Sequence, residues 1–218
     1  MTGNGVLGIY ARAVNGGTVT VNNSGTISAS SMTGGGVLAQ GHIINLTNQA
    51  SGTITGGNGS IAAVAEHAEP TPGNYVGGQA AITNHGTLNG DVTSYIPGVA
   101  MPFPPVTSTF LVTNTGTING AIRGNNTVVS RIVLNGGQVG SGNIATQTGR
   151  NRDVVYVRGT GNIVRGAFRD PGGNVDLLTF EQTDTLTLSQ GDEGDAFSGF
   201  DVVSFNAGVT DFQNLGGS

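Results

Sequence analysis

"NTGTING" occupies residues 114–120, and variants of it recur as "NNSGTIS" (22–28), "NQASGTITGG" (48–57) and "NHGTLNG" (84–90). Each copy writes Asn, a short spacer, Gly, Thr and an aliphatic residue. The glycines Gly25, Gly52, Gly86 and Gly116 stand 27, 34 and 30 residues apart. The second half drops the motif but keeps a beat, with "IVL" at Ile132, "VYV" at Val155, "LTF" at Leu178 and "VSF" at Val203 starting 23, 23 and 25 residues apart. Such a period is too long for a hairpin and too rich in strand segments for a helical repeat.

The segments between corners are short and alternate: "TVTV" (18–21), "HIINLTN" (42–48), "FLVTN" (110–114), "VVYVRG" (154–159) and "DTLTLSQ" (184–190). Apolar residues alternating with Thr, Asn or Arg mark half-buried strands. Only "GSIAAVAEHA" (59–68) hints at a helical stripe, and its Ala and Val suit a buried strand equally well. Three short strands per repeat, each beside its counterpart in the next, make a right-handed parallel β-helix, a β-solenoid in which stacking supplies the core. The expectation is all-β, one domain over 1–218, with roughly eight coils and a rod about 40 Å long. A β-sandwich has strands at similar spacing but does not predict one corner sequence four times.

The corner has a physical reading. A sharp bend calls for a residue in the left-handed region, where Gly is free and Asn is tolerated. Stacked Asn side chains also hydrogen-bond along the stack. Asn23, Asn48, Asn84 and Asn114 are therefore expected to form a structural ladder. The following pairs, such as Thr53–Ile54 and Thr117–Ile118, resume the pleat with Thr outward and the aliphatic residue inward.

Composition agrees with an ordered, turn-dense chain. Gly is 39 of 218 residues, yet 36% are hydrophobic, and the glycines lack the period of collagen. The net charge of −5 gives no electrostatic footprint for nucleic acid. No run approaches the roughly 18 apolar residues of a membrane span, so no membrane insertion is expected of this segment. The start, "MTGNGVLGIY", has neither the basic nor the apolar region of a signal peptide.

The tandem corners, followed by "GQVGSGNIATQTG" and the tail "DTLTLSQGDEGDAFSGFDVVSFNAG", resemble passenger domains of bacterial type V autotransporters. The resemblance runs along most of the chain. It implies a secreted or cell-surface β-helix that an outer-membrane β-barrel carries out. No series of barrel strands is written here, so the chain reads as a middle piece of a longer protein. A structural or adhesive role follows from the resemblance.

Six of the seven prolines fall between 70 and 105. Proline removes ladder donors, so these stretches read as two loop insertions, 67–78 and 95–106. Insertions from solenoids often carry binding. Tyr75, Tyr95, Met101 and Phe103 would form an aromatic and apolar patch against a sugar ring or a partner protein. The other expected mode is self-association by stacking of uncapped rungs, as at "GVLGIYARAV".

Charge is segregated: seven of eight Arg lie between 123 and 169, and eight acidic residues lie between Asp176 and Asp211. "DPGGNVDLLTF" (170–180) resembles the glycine–aspartate calcium repeat, with Asn174 in place of a Gly and no tandem copy. "GDEGD" (191–195) clusters carboxylates. Asp170, Asp176, Asp192 and Asp195 are thus the candidates for calcium, and no other cofactor is expected. The alternative to a binding rod is a carbohydrate-active enzyme, a polysaccharide lyase or hydrolase. For that, Asp153 and Asp176, 23 residues apart, would sit one rung or about 5 Å from each other. His42, His67 and His85 have no partners at metal-ligand spacing, and neither a nucleophile elbow nor a phosphate loop is present.

Overall fold

A computed structural model of the chain describes residues 7–29, 34–57, 61–67, 77–95, 108–124, 128–140, 143–145, 153–169, 176–184, 186–188, 197–206 and 212–214. Alternation of apolar and polar residues over two to eight positions gives strands, three to a coil. The first two coils are β1 (Ile9–Arg12), β2 (Thr18–Asn23), β3 (Thr26–Ser28) and β4 (Val37–Gly41), β5 (Ile43–Asn48), β6 (Thr53–Thr55). The next two are β7 (Ile61–His67), β8 (Gln79–Asn84), β9 (Thr87–Asn89) and β10 (Asp91–Tyr95), β11 (Ser108–Asn114), β12 (Thr117–Ile118). Coils five and six are β13 (Ile122–Arg123), β14 (Val128–Asn135), β15 (Gln138–Val139) and β16 (Ile144–Ala145), β17 (Val154–Gly159), β18 (Ile163–Val164). The last two are β19 (Phe168–Arg169), β20 (Leu177–Gln182), β21 (Leu186–Leu188) and β22 (Phe197–Ser198), β23 (Val202–Phe205), β24 (Phe212–Asn214).

Every third strand pairs with the next in parallel. The first sheet runs β1-β4-β7-β10-β13-β16-β19-β22, the second runs β2 to β23, and the third runs β3 to β24, each with eight strands. This is the right-handed parallel β-helix of eight coils that the periods imply. Nothing in the stacked parallel ladders fits a sandwich. The Ala-rich segment at 61–67 is a strand, β7, with Ala62, Ala63 and Ala65 buried. Among the described residues there is no α-helix, and none is long and apolar enough to cross a membrane.

The core is a set of columns. On the second sheet, Val21, Leu46, Ile82, Val112, Ile132, Val155, Leu178 and Val203 occupy one inward column. The beat read from Ile132 to Val203 is this column. A second inward column begins Asn23, Asn48, Asn84, Asn114 and continues Leu134, Val157, Phe180, Phe205. Its character changes between coils four and five. In the later coils aromatics fill the interior: Phe168 meets Phe180 edge-on at 5.9 Å, and Phe180 stacks on Phe205 at 5.1 Å.

Candidate functional site

The four motif asparagines come together as one ladder. The Asn23 amide donates to Asn48 Oδ1 at 2.8 Å, Asn48 to Asn84 Oδ1 at 2.9 Å, and Asn84 to Asn114 Oδ1 at 2.8 Å. Each Nδ2 also reaches main-chain carbonyls at the corner: Asn48 donates to Gly52 and Thr87, and Asn84 to Gly86 and Thr117. Asn48, Asn84 and Asn114 are fully buried. A buried amide is tolerated only when its groups are paired, and this stacking pairs them. The Thr–aliphatic pairs behave as expected, with Ile54, Leu88 and Ile118 fully buried and Thr53, Thr87 and Thr117 on the outer side.

The reason for the motif glycines differs from the expected one. Gly25, Gly52, Gly86 and Gly116 are not among the residues with positive φ, which include Gly136, Gly159 and Gly161 in the second half. They are glycine because the preceding coil leaves no room. A Cβ on Gly86 would lie 2.2 Å from the Gly52 carbonyl oxygen, and one on Gly116 would lie 2.2 Å from that of Gly86. A Cβ on Gly52 would meet Asn48 Oδ1 at 2.2 Å, while Gly25 has nothing within 4 Å. Close stacking, not left-handed backbone, selects the residue.

Where the Asn column ends, another polar pair takes over. Asn162 Oδ1 accepts from the backbone N–H groups of Gly136 and Gly137, and its amide donates to Gln182 Oε1 at 3.0 Å. Both side chains are buried. The sequence signal was "RGTGN" at 158–162, where a corner with left-handed Gly159 and Gly161 replaces the earlier motif.

Asp153 and Asp176 do stand on adjacent rungs, but at 2% exposure each they do not line an open groove. They form a staircase at the start of the second-sheet strands. Ser130 N–H donates to Asp153 Oδ1 at 2.5 Å, Asp153 N–H to Asp176 Oδ1 at 2.6 Å, and Asp176 N–H to Asp201 Oδ2 at 2.9 Å. Each carboxylate fastens the backbone of the previous rung. Of the calcium candidates, Asp176 is engaged in this way, and Asp170, Asp192 and Asp195 lie outside the described residues. Among the described residues no group of three or more His, Cys, Asp or Glu gathers to hold a metal ion. His85 Nδ1 lies 2.7 Å from Thr115 Oγ1, a contact on the outside of the corner.

The connections differ sharply in length. The corner from second to third sheet takes two residues in coils one, three, four and five: 24–25, 85–86, 115–116 and 136–137. The corner from first to second sheet takes one residue, His42, in coil two, but stretches to 68–78 in coil three and 96–107 in coil four. These are the two Pro-rich segments, and they leave the same corner on consecutive coils. Tyr75, Met101 and Phe103 lie outside the described residues, and Tyr95 ends β10 with only its backbone described. The same corner carries 146–153 and 170–176 in coils six and seven. Asp153 and Asp176 close those two segments.

Arg123 approaches Asp91 at 3.4 Å, with 56% and 28% of the side chains exposed, and such a solvated pair contributes little. Arg131 and Arg158 instead direct their guanidinium groups to Tyr156, at 5.3 and 5.7 Å from the ring centroid. Compared with protein-family models, curated proteins and solved structures, the chain finds no match.

Proposed function

We propose that this chain is a stretch of extracellular β-helix rod, of the bacterial autotransporter passenger type, that binds a host or neighbouring-cell surface protein or glycan along one edge. The observation that carries this reading is the corner from first to second sheet. The two longest connections, 68–78 and 96–107, leave it on consecutive coils, so the stretches that contain Tyr75, Met101 and Phe103 are anchored one rung apart. The polar residues of the scaffold point to support and not to chemistry. The Asn ladder and the Asp staircase are spent on bonds between rungs. A carbohydrate-active site at Asp153 and Asp176 would have to break those bonds to reach a substrate.

Edge binding is favoured over stacking of copies end to end. A second copy continuing the second sheet in register would set Phe205 against the amide of Asn23. It would also set the N–H of Asp201 against Val19, which offers no carboxylate to continue the staircase. Both columns are mismatched, although Val203 and Phe205 are exposed. Coil two supplies the test, since it turns the same corner with His42 alone. Replacing 68–78 and 96–107 each by a single His should leave the β-sheet circular dichroism intact and abolish adhesion to cells or immobilised surface glycoproteins. Adhesion that persists in a folded double replacement would sink the proposal. Sedimentation velocity of the intact chain, with and without calcium, reads the stacking alternative directly.

A further inference from the structure

The outer face of the second sheet changes character along the rod. Through coils one to four its outward positions are mostly Thr, Asn and Gln: Thr20, Asn22, Asn45, Thr47, Thr83, Thr113. From Leu111 onward they become Arg131, Val154, Leu177 and Val202 in one column, with Tyr156 in the next. Leu111 and Val202 are 36% and 40% exposed.

Two cations converge on this face. Arg131 lies on the rung before Tyr156 and Arg158 two residues after it on the same strand, and both guanidinium groups sit within 6 Å of the one ring. Arg158 is in register with Glu181 on the following rung, yet it turns to the ring and closes no ion pair with that carboxylate. Both guanidinium groups lie beside one ring, whose face favours cationic charge and holds each fork in place.

We infer that Arg131, Tyr156 and Arg158 form an anion-binding site for the carboxylate groups of an acidic polysaccharide, with the aliphatic column of Val154 and Leu177 receiving the apolar face of the sugar rings. This names a ligand class and a second surface for the binding rod proposed above, and it rests on that reading. An acidic peptide fits less well. The backbone groups of β14, β17 and β20 are already paired between rungs, so a peptide lying on the face gains no main-chain hydrogen bonds. A saccharide needs only side chains: guanidinium forks for carboxylates and an apolar surface for carbon-bound hydrogens.

The test is affinity electrophoresis of the intact chain through gels containing alginate, neutral dextran or polyglutamate. Alginate should retard the chain, dextran should not, and Arg131→Gln or Arg158→Gln should each weaken the retardation about tenfold. Tyr156→Ser should also weaken it, by releasing both forks, whereas Thr47→Val on the polar half of the same face should not. Arg131 is exposed, so its variant keeps the fold, and circular dichroism checks this. No retardation by alginate, equal retardation by polyglutamate, or retardation indifferent to both Arg substitutions would overturn the inference. The variant with both long connections shortened separates the two proposals. It should lose adhesion yet keep alginate binding, and a loss of alginate binding there would place the glycan site at the edge and not on this face.

Discussion

Substituting Asn84 by Leu tests the ladder where it is most fully satisfied. The Asn84 side chain accepts from Asn48 at 2.9 Å and donates to Asn114 Oδ1 at 2.8 Å, to the Gly86 carbonyl at 3.2 Å and to the Thr117 carbonyl at 3.1 Å. Leu has the branching and heavy-atom count of Asn, and Leu134 occupies the same column one coil beyond Asn114, so the column accepts that side-chain shape. The loss is polar. The Gly86 carbonyl keeps the Thr117 N–H at 2.8 Å, and the Asn48 amide keeps its bonds to Gly52 and Thr87. Asn114 Oδ1, fully buried, loses its Asn donor. An orphaned buried acceptor costs roughly 1–3 kcal/mol and each lost net bond about 1, so the substitution should cost about 3 kcal/mol. Asn23→Leu likewise orphans the fully buried Asn48 Oδ1 and takes the acceptor from the Gly25 N–H, so it too should cost about 3 kcal/mol. The double variant Asn84→Leu with Asn114→Leu removes the orphan as well, so its cost should fall short of the sum by about 1 kcal/mol. Urea titration followed by circular dichroism, with amide exchange in β8 and β11, measures the unsubstituted chain, the double variant and the three single variants, Asn114→Leu included. Stacked coils need not unfold in one step, so the comparison is made on the transition that reports β8. A cost below about 0.5 kcal/mol for Asn84→Leu, or strict additivity in the cycle, would refute the ladder as a stabilising unit.

Other substitutions read the same stack. Gly86→Ala brings a Cβ within 2.2 Å of one carbonyl oxygen and 2.3 Å of another, so it should destabilise by ~3 kcal/mol, while Gly25→Ala should stay within ~0.5 kcal/mol in the same urea titrations. Asp176→Leu strips the acceptor from the Asp153 N–H and should cost about 2–3 kcal/mol, whereas Asp176→Asn, which keeps an acceptor oxygen, should cost about 1. Equal losses for the Asn and Leu variants would contradict the capping role. Asp153→Asn with Asp176→Asn should leave adhesion unchanged in a cell-binding assay, and a loss of polymer cleavage by that pair would instead support the enzyme reading.

Periodicity made the fold legible because stacking repeats one environment at one sequence interval. Ile132, Val155, Leu178 and Val203 share a column since each must fill the same interior position. The Asn ladder was legible for the same reason. The glycines were found but misread, because a sequence shows that a side chain is missing and not whether φ or a neighbouring carbonyl forbids it. Asp153 and Asp176 were placed one rung apart correctly. Their burial was not legible, since the side-chain direction at the first residue of a strand depends on how the preceding connection arrives. Tyr156 with Arg131 and Arg158 was missed outright. "VVYVRG" shows alternation within one strand, but Arg131 reaches the ring from the rung before, and only the register makes them neighbours.

The corner from second to third sheet shows what the stack holds fixed. Coil two inserts two residues there, Ala50 and Ser51, and both are exposed, with Ser51 Oγ bonded to the Ser24 carbonyl at 2.8 Å. Asn48 and Gly52 nevertheless keep their places beside Asn23 and over Gly25. The anchors are therefore the Asn and the Gly, and the spacer between them is free to bulge outward. The same two residues inserted at adjacent points of coil three should have opposite effects. Ala-Ser placed between His85 and Gly86 writes "NHASGT", the pattern of coil two, and should cost under about 1 kcal/mol, as expected of a slightly longer surface loop. Ala-Ser placed between Gly86 and Thr87 sets Ser in the position where a Cβ meets the Gly52 carbonyl at 2.2 Å, and should cost ~3 kcal/mol or more. Thermal melts of the two insertions decide the matter. Equal losses would mean that corner length is the constraint, and the stacking of Asn on Asn and Gly on Gly would no longer explain why the motif recurs.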